Sequence, residues 1–227
     1  MNLAQRAAAA AQAYRDGAYE EAVQDYQALV DAGAGSADVW FNLGNAHYHT
    51  GARGKAAWAW ENALRLAPRD EVVRRQLENL RAEAGVVRPA GDSVLHGVAA
   101  RLDPAGFALV LLAGWIVGCG LVILRPHLRA PWRKTVAGLF AGLAFAGAVV
   151  GGTGLALVEW DRRAGWAVAI ESVDLRQAPH EGAGVVGRLE EAARVRIRRR
   201  EGSWVLLDLG AGRTGWSRAG AIAPIGG

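Results

Sequence analysis

Phe107-Ala-Leu-Val-Leu-Leu-Ala-Gly-Trp-Ile-Val-Gly-Cys-Gly-Leu-Val-Ile-Leu124 and, a short turn later, Val136-Ala-Gly-Leu-Phe-Ala-Gly-Leu-Ala-Phe-Ala-Gly-Ala-Val-Val-Gly-Gly-Thr-Gly-Leu-Ala-Leu-Val158 decide how this chain is laid out. The runs are about 18 and about 23 residues long and carry no charge, so each can cross a bilayer as a helix. Between them, Arg125-Pro-His-Leu-Arg-Ala-Pro-Trp-Arg-Lys134 leaves room only for a turn at the membrane face. Two spans, 107–124 and 136–158, joined by a basic turn at 125–135, are therefore expected. An even number of spans returns the chain to its starting side. The segments before and after the hairpin must then share a compartment.

The formal net charge is +4, and most of the surplus sits at the turn, on Arg125, Arg129, Arg133 and Lys134. That pattern is membrane topology and not nucleic-acid binding. Positive charge stays inside, so the turn is expected in the cytoplasm and both flanking segments outside, in the periplasm of a bacterial inner membrane. Met1-Asn-Leu-Ala-Gln-Arg6 and the alanines after it lack the apolar core of a signal peptide. Export then needs a start further upstream, and the inverted orientation is the alternative. Trp132 and Trp160 flank the second span at the depth indoles prefer. Gly114/Gly118, Gly138/Gly142 and Gly147/Gly151 are spaced to let two membrane helices approach. The single cysteine, Cys119, excludes an intrachain disulfide and reads as a buried apolar thiol within the first span.

Before the hairpin, the chain matches itself at a shift of about 34 residues, the period of tetratricopeptide repeats. Gly17 falls on Gly51, Ala22 on Ala56 and Tyr26 on Trp60. Trp40, Leu43, Gly44, Ala56, Trp60, Ala63 and Pro68 occupy signature positions of the second copy, with His47 where a tyrosine is usual. The small residues admit close helix pairing, the tryptophans fill the seam, and Pro68 stops the second helix. Glu71 to Glu83 reads as a capping amphipathic helix, so residues 1–86 form an all-α repeat domain. Residues 87–106 form a linker with a short amphipathic helix at Leu95–Leu102. Repeat arrays hold protein segments in a groove. Asn42 and Asn45 match two positions of a carboxylate clamp, but Ala7, Ala11, Val72 and Gln76 do not complete it.

After the hairpin the period becomes that of strands: Trp166 to Ile170, Val186 to Leu189, Arg194 to Arg198, Trp204 to Asp208 and Thr214 to Trp216. Val173-Asp-Leu-Arg176 with Pro179, Gly187, Leu189, Gly202-Ser-Trp204-Val, Gly212-Arg-Thr-Gly-Trp216 and Ile222 resemble a bacterial SH3-like domain. Residues 163–227 are expected to close a small all-β barrel that folds by itself. Trp204 and Trp216 read as core or rim positions, or as the wall of a groove for a peptide. Arg194, Arg196 and Arg198 share one face of their strand. They suit an edge strand protected by charge, or, with Arg196 central, an anionic partner.

The five histidines and the carboxylates form no catalytic or metal-binding signature, and no phosphate-binding loop or nucleophile motif occurs. No enzyme activity, cofactor or metal is expected. The order of tetratricopeptide repeats, two-helix transmembrane hairpin and SH3-like barrel resembles the BatE proteins of the bacterial aerotolerance (Bat) operon. That resemblance implies a membrane scaffold in stress tolerance or envelope assembly. It works beside a MoxR-type AAA ATPase and von Willebrand factor A-domain membrane proteins. The competing expectation is a peptidoglycan-binding accessory that tethers a cell-wall enzyme.

Overall fold

The computed structural model describes residues 2–86, 104–128, 130–162, 165–210 and 212–226. The expected helix at Leu95–Leu102 lies outside them. The described chain forms two compact units: the hairpin, and a second unit that joins the N-terminal helices to the C-terminal strands.

Helices α1 (Leu3–Arg15), α2 (Tyr19–Asp31), α3 (Ala37–His49), α4 (Arg53–Leu66) and α5 (Glu71–Glu83) make up the N-terminal part. Their starts are written locally. Asn2 and Gln5 cap α1 reciprocally, Ser36 Oγ accepts from Val39 N at 3.2 Å, and Asp70 Oδ1 accepts from Val72 N at 2.9 Å. The turns α1–α2 and α3–α4 are the same turn used twice. Gly17 and Gly51 both sit at φ +78°, and the amides of Ala18 and Ala52 bond to Ala13 O and His47 O at 2.9 Å each. Only glycine adopts that backbone freely, which explains its recurrence at the sequence period. Tyr26, Leu29, Trp40, Leu43, Trp60, Val73, Leu77 and Leu80 fill the interior. A β-carbon on Gly44 would overlap the Trp60 indole, so the small residue there is a packing requirement.

Seven strands follow: β1 (Trp166–Ala169), β2 (Val173–Arg176), β3 (Val185–Leu189), β4 (Arg194–Glu201), β5 (Trp204–Asp208), β6 (Thr214–Arg218) and β7 (Ile222–Pro224). They form one antiparallel sheet in the order β3-β2-β6-β5-β4-β1-β7. Ala167, Leu175, Val195, Val205, Leu207 and Ile222 are in its core. Among the described residues the hydrogen-bonded order is open, with β3 and β7 at its two ends, so the pairing does not show the closed barrel expected for residues 163–227. The expectation of a charge-protected edge at residues 194–198 is corrected, because β4 lies inside the sheet between β1 and β5.

β1 explains why helices and sheet form one unit. Its side chains alternate, as in any strand. Ala167 and Ala169 enter the sheet's core, whereas Val168 enters the core of the helices. A strand buried on both faces has no polar side to show, and Trp166-Ala-Val-Ala169 has none between its ends.

The hairpin consists of α6 (Pro104–Leu124), a single 3-10 turn (Arg125–His127) and α7 (Pro131–Arg162). Both expected spans fall inside these helices, and both helices are long and apolar enough to cross a membrane. The expected turn at 125–135 is shorter than the sequence implied. Pro131 starts α7, since a proline at the first helical position loses no hydrogen bond. Only some of the expected glycine pairs face the partner helix. A β-carbon on Gly114 would stand 2.9 Å from Ala148 N, and one on Gly151 2.7 Å from Leu111 N. Gly118 lies against the Phe145 ring, while nothing comes near Gly142 or Gly147. Trp115 meets Phe145 edge to face, with ring centres 5.6 Å apart. Trp132 is exposed.

Candidate protein-binding surfaces

The asparagines on α3 are engaged inside the molecule. Asn45 Oδ1 accepts from Trp60 Nε1 at 3.1 Å, and Asn42 lies near enough to the Tyr26 hydroxyl to lower its pKa slightly against the larger rise from burial. They hold α3 to α2 and α4. His47 and His49 diverge, as their two-residue spacing requires. His47 is buried, and its pKa is lowered from 6.5 to about 4 by desolvation and then by the nearby Lys55 charge. His49 stacks on Tyr19, with ring centres 4.3 Å apart and planes 8° from parallel. Tyr48 and Val72 are exposed apolar residues on α3 and α5.

On the sheet, Trp216 and Trp204 are each only 8% exposed. Arg196 lies over the Trp166 ring at 4.8 Å, and Arg194 covers the same ring at 4.2 Å. Arg198 pairs with Asp208 Oδ2 at 2.8 Å. The Asp208 carboxyl is held below its usual range by the Gly210 amide first, and by Arg198 after burial is offset. The arginine row is thus committed to an indole and a carboxylate of the same sheet.

A depression of about 290 Å³ lies beside Trp204, lined by Ser172, Asp174, Arg176, Glu181, Arg188 and Arg218. The Arg218 guanidinium covers the Trp204 ring at 4.9 Å. Trp204 is therefore a nearly closed floor, and the charged side chains around it are what a ligand would meet.

The strongest constellation was not legible as a motif. Gly54, Trp58, Glu61, Asn62 and Arg65 recur at helical spacing on α4 and meet the end of the sheet. Trp58 Nε1 donates to Pro224 O at 2.9 Å, on the outer edge of β7. Asn62 Oδ1 accepts from Gly226 N at 2.9 Å, and its amide nitrogen donates to Trp58 O. A β-carbon on Gly54 would collide with the backbone of Ile170. Arg81 on α5 completes the contact: Nη2 pairs with Glu61 Oε1 at 2.7 Å, and Nε donates to Ala192 O at 3.0 Å. Burial would raise the Glu61 pKa, but the charges of Arg194 and then Arg81, with the Arg81 hydrogen bond, bring it below the ordinary value. Ala192 holds a left-handed φ of 65°, and its amide donates to Ala169 O at 2.8 Å. The available signal was α4 itself, which buries residues on nearly every side and so needed a second neighbour.

Comparison with protein-family models, curated proteins and solved structures finds no match to this chain.

Proposed function

We propose that this chain is a membrane-anchored, non-catalytic adaptor, with the helices acting as tetratricopeptide repeats and the sheet as an SH3-like domain. The observation that carries this reading is the docking of α4 on β1 and β7. It makes one compact module from segments on either side of a two-helix hairpin, and such a module forms only if both segments emerge on one side of the membrane. The recurrence of the Gly17 and Gly51 turns supports the repeat assignment. The module works in an envelope complex of the BatE, aerotolerance type, where a MoxR-type ATPase and von Willebrand factor A-domain membrane proteins are its partners. Its place is the bacterial inner membrane with the module in the periplasm. Reporters fused after Glu83 and after Ile225 test the arrangement: both should be active only outside the cytoplasm. Opposite sides would refute the hairpin, and two cytoplasmic readouts would reverse the orientation. Co-purification of an AAA ATPase or an A-domain protein tests the complex.

One observation favours a second reading. The depression beside Trp204 suits a peptide end, so a wall-binding accessory that tethers a cell-wall enzyme is the alternative. Binding of peptidoglycan fragments without capture of an ATPase would select it.

A further inference from the structure

Arg176, Arg188 and Arg218 line the depression beside Trp204, and Glu181 reaches into it from the loop between β2 and β3. The Glu181 carboxylate pairs with Arg218 through one oxygen and with Arg176 through the other, at 3.5 Å to Arg176 Nη2. Its side chain is 62% exposed. An ion pair so open to water is weak, roughly 0.2–1 kcal/mol, and exchanges readily. The loop does not depend on that carboxylate. Arg176 Nη1 donates to the carbonyls of Glu181 and Ala183 at 2.6 and 2.9 Å, and Gln177 N donates to Gly184 O at 3.0 Å. The backbone is clamped while the side chain stays free to leave.

We propose that Glu181 occupies a carboxylate-binding site, and that a carboxylate presented by a partner peptide displaces it to bind Arg218 and Arg176. With Glu181 turned out, Arg176, Arg188 and Arg218 face the depression; Asp174 lies opposite Arg188 across the β2–β3 ladder and Glu190 pairs with Arg188 at 3.5 Å, which leaves Arg176 and Arg218 as the pair for the incoming carboxylate. Guanidinium is the group best shaped for two-pronged carboxylate binding, and the covered Trp204 ring beneath Arg218 holds it in place. The carboxylate can be a peptide's C-terminus or an acidic side chain. This site rests on the adaptor reading only in supplying the sheet's share of partner contact.

The test uses the full chain in detergent micelles and calorimetric titration with blocked tripeptides. One bears a free C-terminal carboxylate, one a glutamate with an amidated end, and one no carboxylate; inorganic phosphate is the fourth probe. Binding by the first two and none by the third is expected, and the stronger of the two identifies the source. Glu181→Gln removes the internal competitor and should tighten binding about two- to five-fold, the value of a surface ion pair. Arg218→Gln should weaken it about ten-fold or more, as loss of a charged hydrogen bond does. Arg218→Lys, which keeps the charge but loses the two-pronged geometry, is the second variant should Arg218→Gln fail to fold, and it should also weaken binding, by a smaller factor. Unchanged affinity in Glu181→Gln, weaker binding in that variant, or preference for phosphate would overturn the site. Co-purification of partners through the helices would persist in that case, so the adaptor reading fails or stands separately.

Discussion

Asn62, on the fourth helix, accepts a hydrogen bond from the amide of Gly226, 164 residues further along the chain. Asn62 is almost completely buried, and its amide nitrogen is fixed by Trp58 O four residues earlier. A helix-borne asparagine thereby ends the β7 strand, and the Trp58 indole beside it takes the strand's outward carbonyl. Sheet edges invite unwanted pairing, and α4 covers this one.

Contrary to the expectation of a barrel that folds by itself, the sheet should not be stable without the helices. A fragment of residues 165–227 would expose Val168, and the outer edge of β7 would lose Trp58 and Asn62. Near-ultraviolet circular dichroism of the fragment should lack fixed tryptophan signals. A sharp, cooperative melt of the fragment would show that docking adds nothing to its folding.

Asn62→Leu should destabilise the chain by about 0.5–1.5 kcal/mol, the net worth of the hydrogen bond from the Gly226 amide that it removes. Gly54→Val acts on the same interface by bulk, since Ile170 meets it with backbone that cannot swing aside. Overpacking of this kind costs about 1–3 kcal/mol. Thermal unfolding in detergent checks both, and limited proteolysis near residue 170 should accelerate in Gly54→Val.

Arg81→Met should be worse than either. It leaves the buried Glu61 carboxylate with the Arg194 charge but without its hydrogen-bonded partner, a loss below the roughly 3–5 kcal/mol of a wholly unpaired buried charge, and it also frees the Ala192 carbonyl. The double variant Glu61→Leu with Arg81→Met should recover part of the loss. Equal melting temperatures for the single and double variants would remove the buried charge as the cause.

Acid should loosen the helical part in two stages. His47 is held neutral, its pKa near 4 against 6.5 in the unfolded chain. The unfolded state therefore binds the extra proton between those values, and stability falls through that window by about 2–3 kcal/mol. Glu61 has a lowered pKa, so its contribution is present above the ordinary value of 4.5 and fades as pH falls through the folded value. Melting curves from pH 7.5 to 4 should show the first loss, and His47→Gln should flatten it.

In the hairpin, Gly114→Leu and Gly151→Leu should separate the helices, because backbone of the facing helix lies directly against each. Gly142→Leu should be tolerated, having no neighbour. With Cys119 replaced, cross-linking between cysteines placed at Trp115 and Phe145, whose rings meet in the hairpin, reads the separation. Equal trapping in all three variants would show that the glycines do not set the helix spacing.

The sequence by itself determined what depends on local pattern. Uncharged runs at 107–124 and 136–158 imply membrane-length helices because backbone in lipid must satisfy its own hydrogen bonds, and both runs are helical. Gly17 and Gly51 announced a repeated turn, since the left-handed backbone they adopt excludes most other residues. Alternation from Trp166 onward announced strands. Only the tertiary structure decided which residues meet across long separations. It gave Asn42 and Asn45 to Tyr26 and Trp60, put the arginine-bearing β4 inside the sheet, and set α4 against β1 and β7. No local rule could anticipate these contacts. A glycine, a tryptophan and an asparagine on a second helix face have the same local propensities whether they meet water or the end of a distant strand. What separates the two cases is the burial and hydrogen bonding gained when both surfaces are already folded.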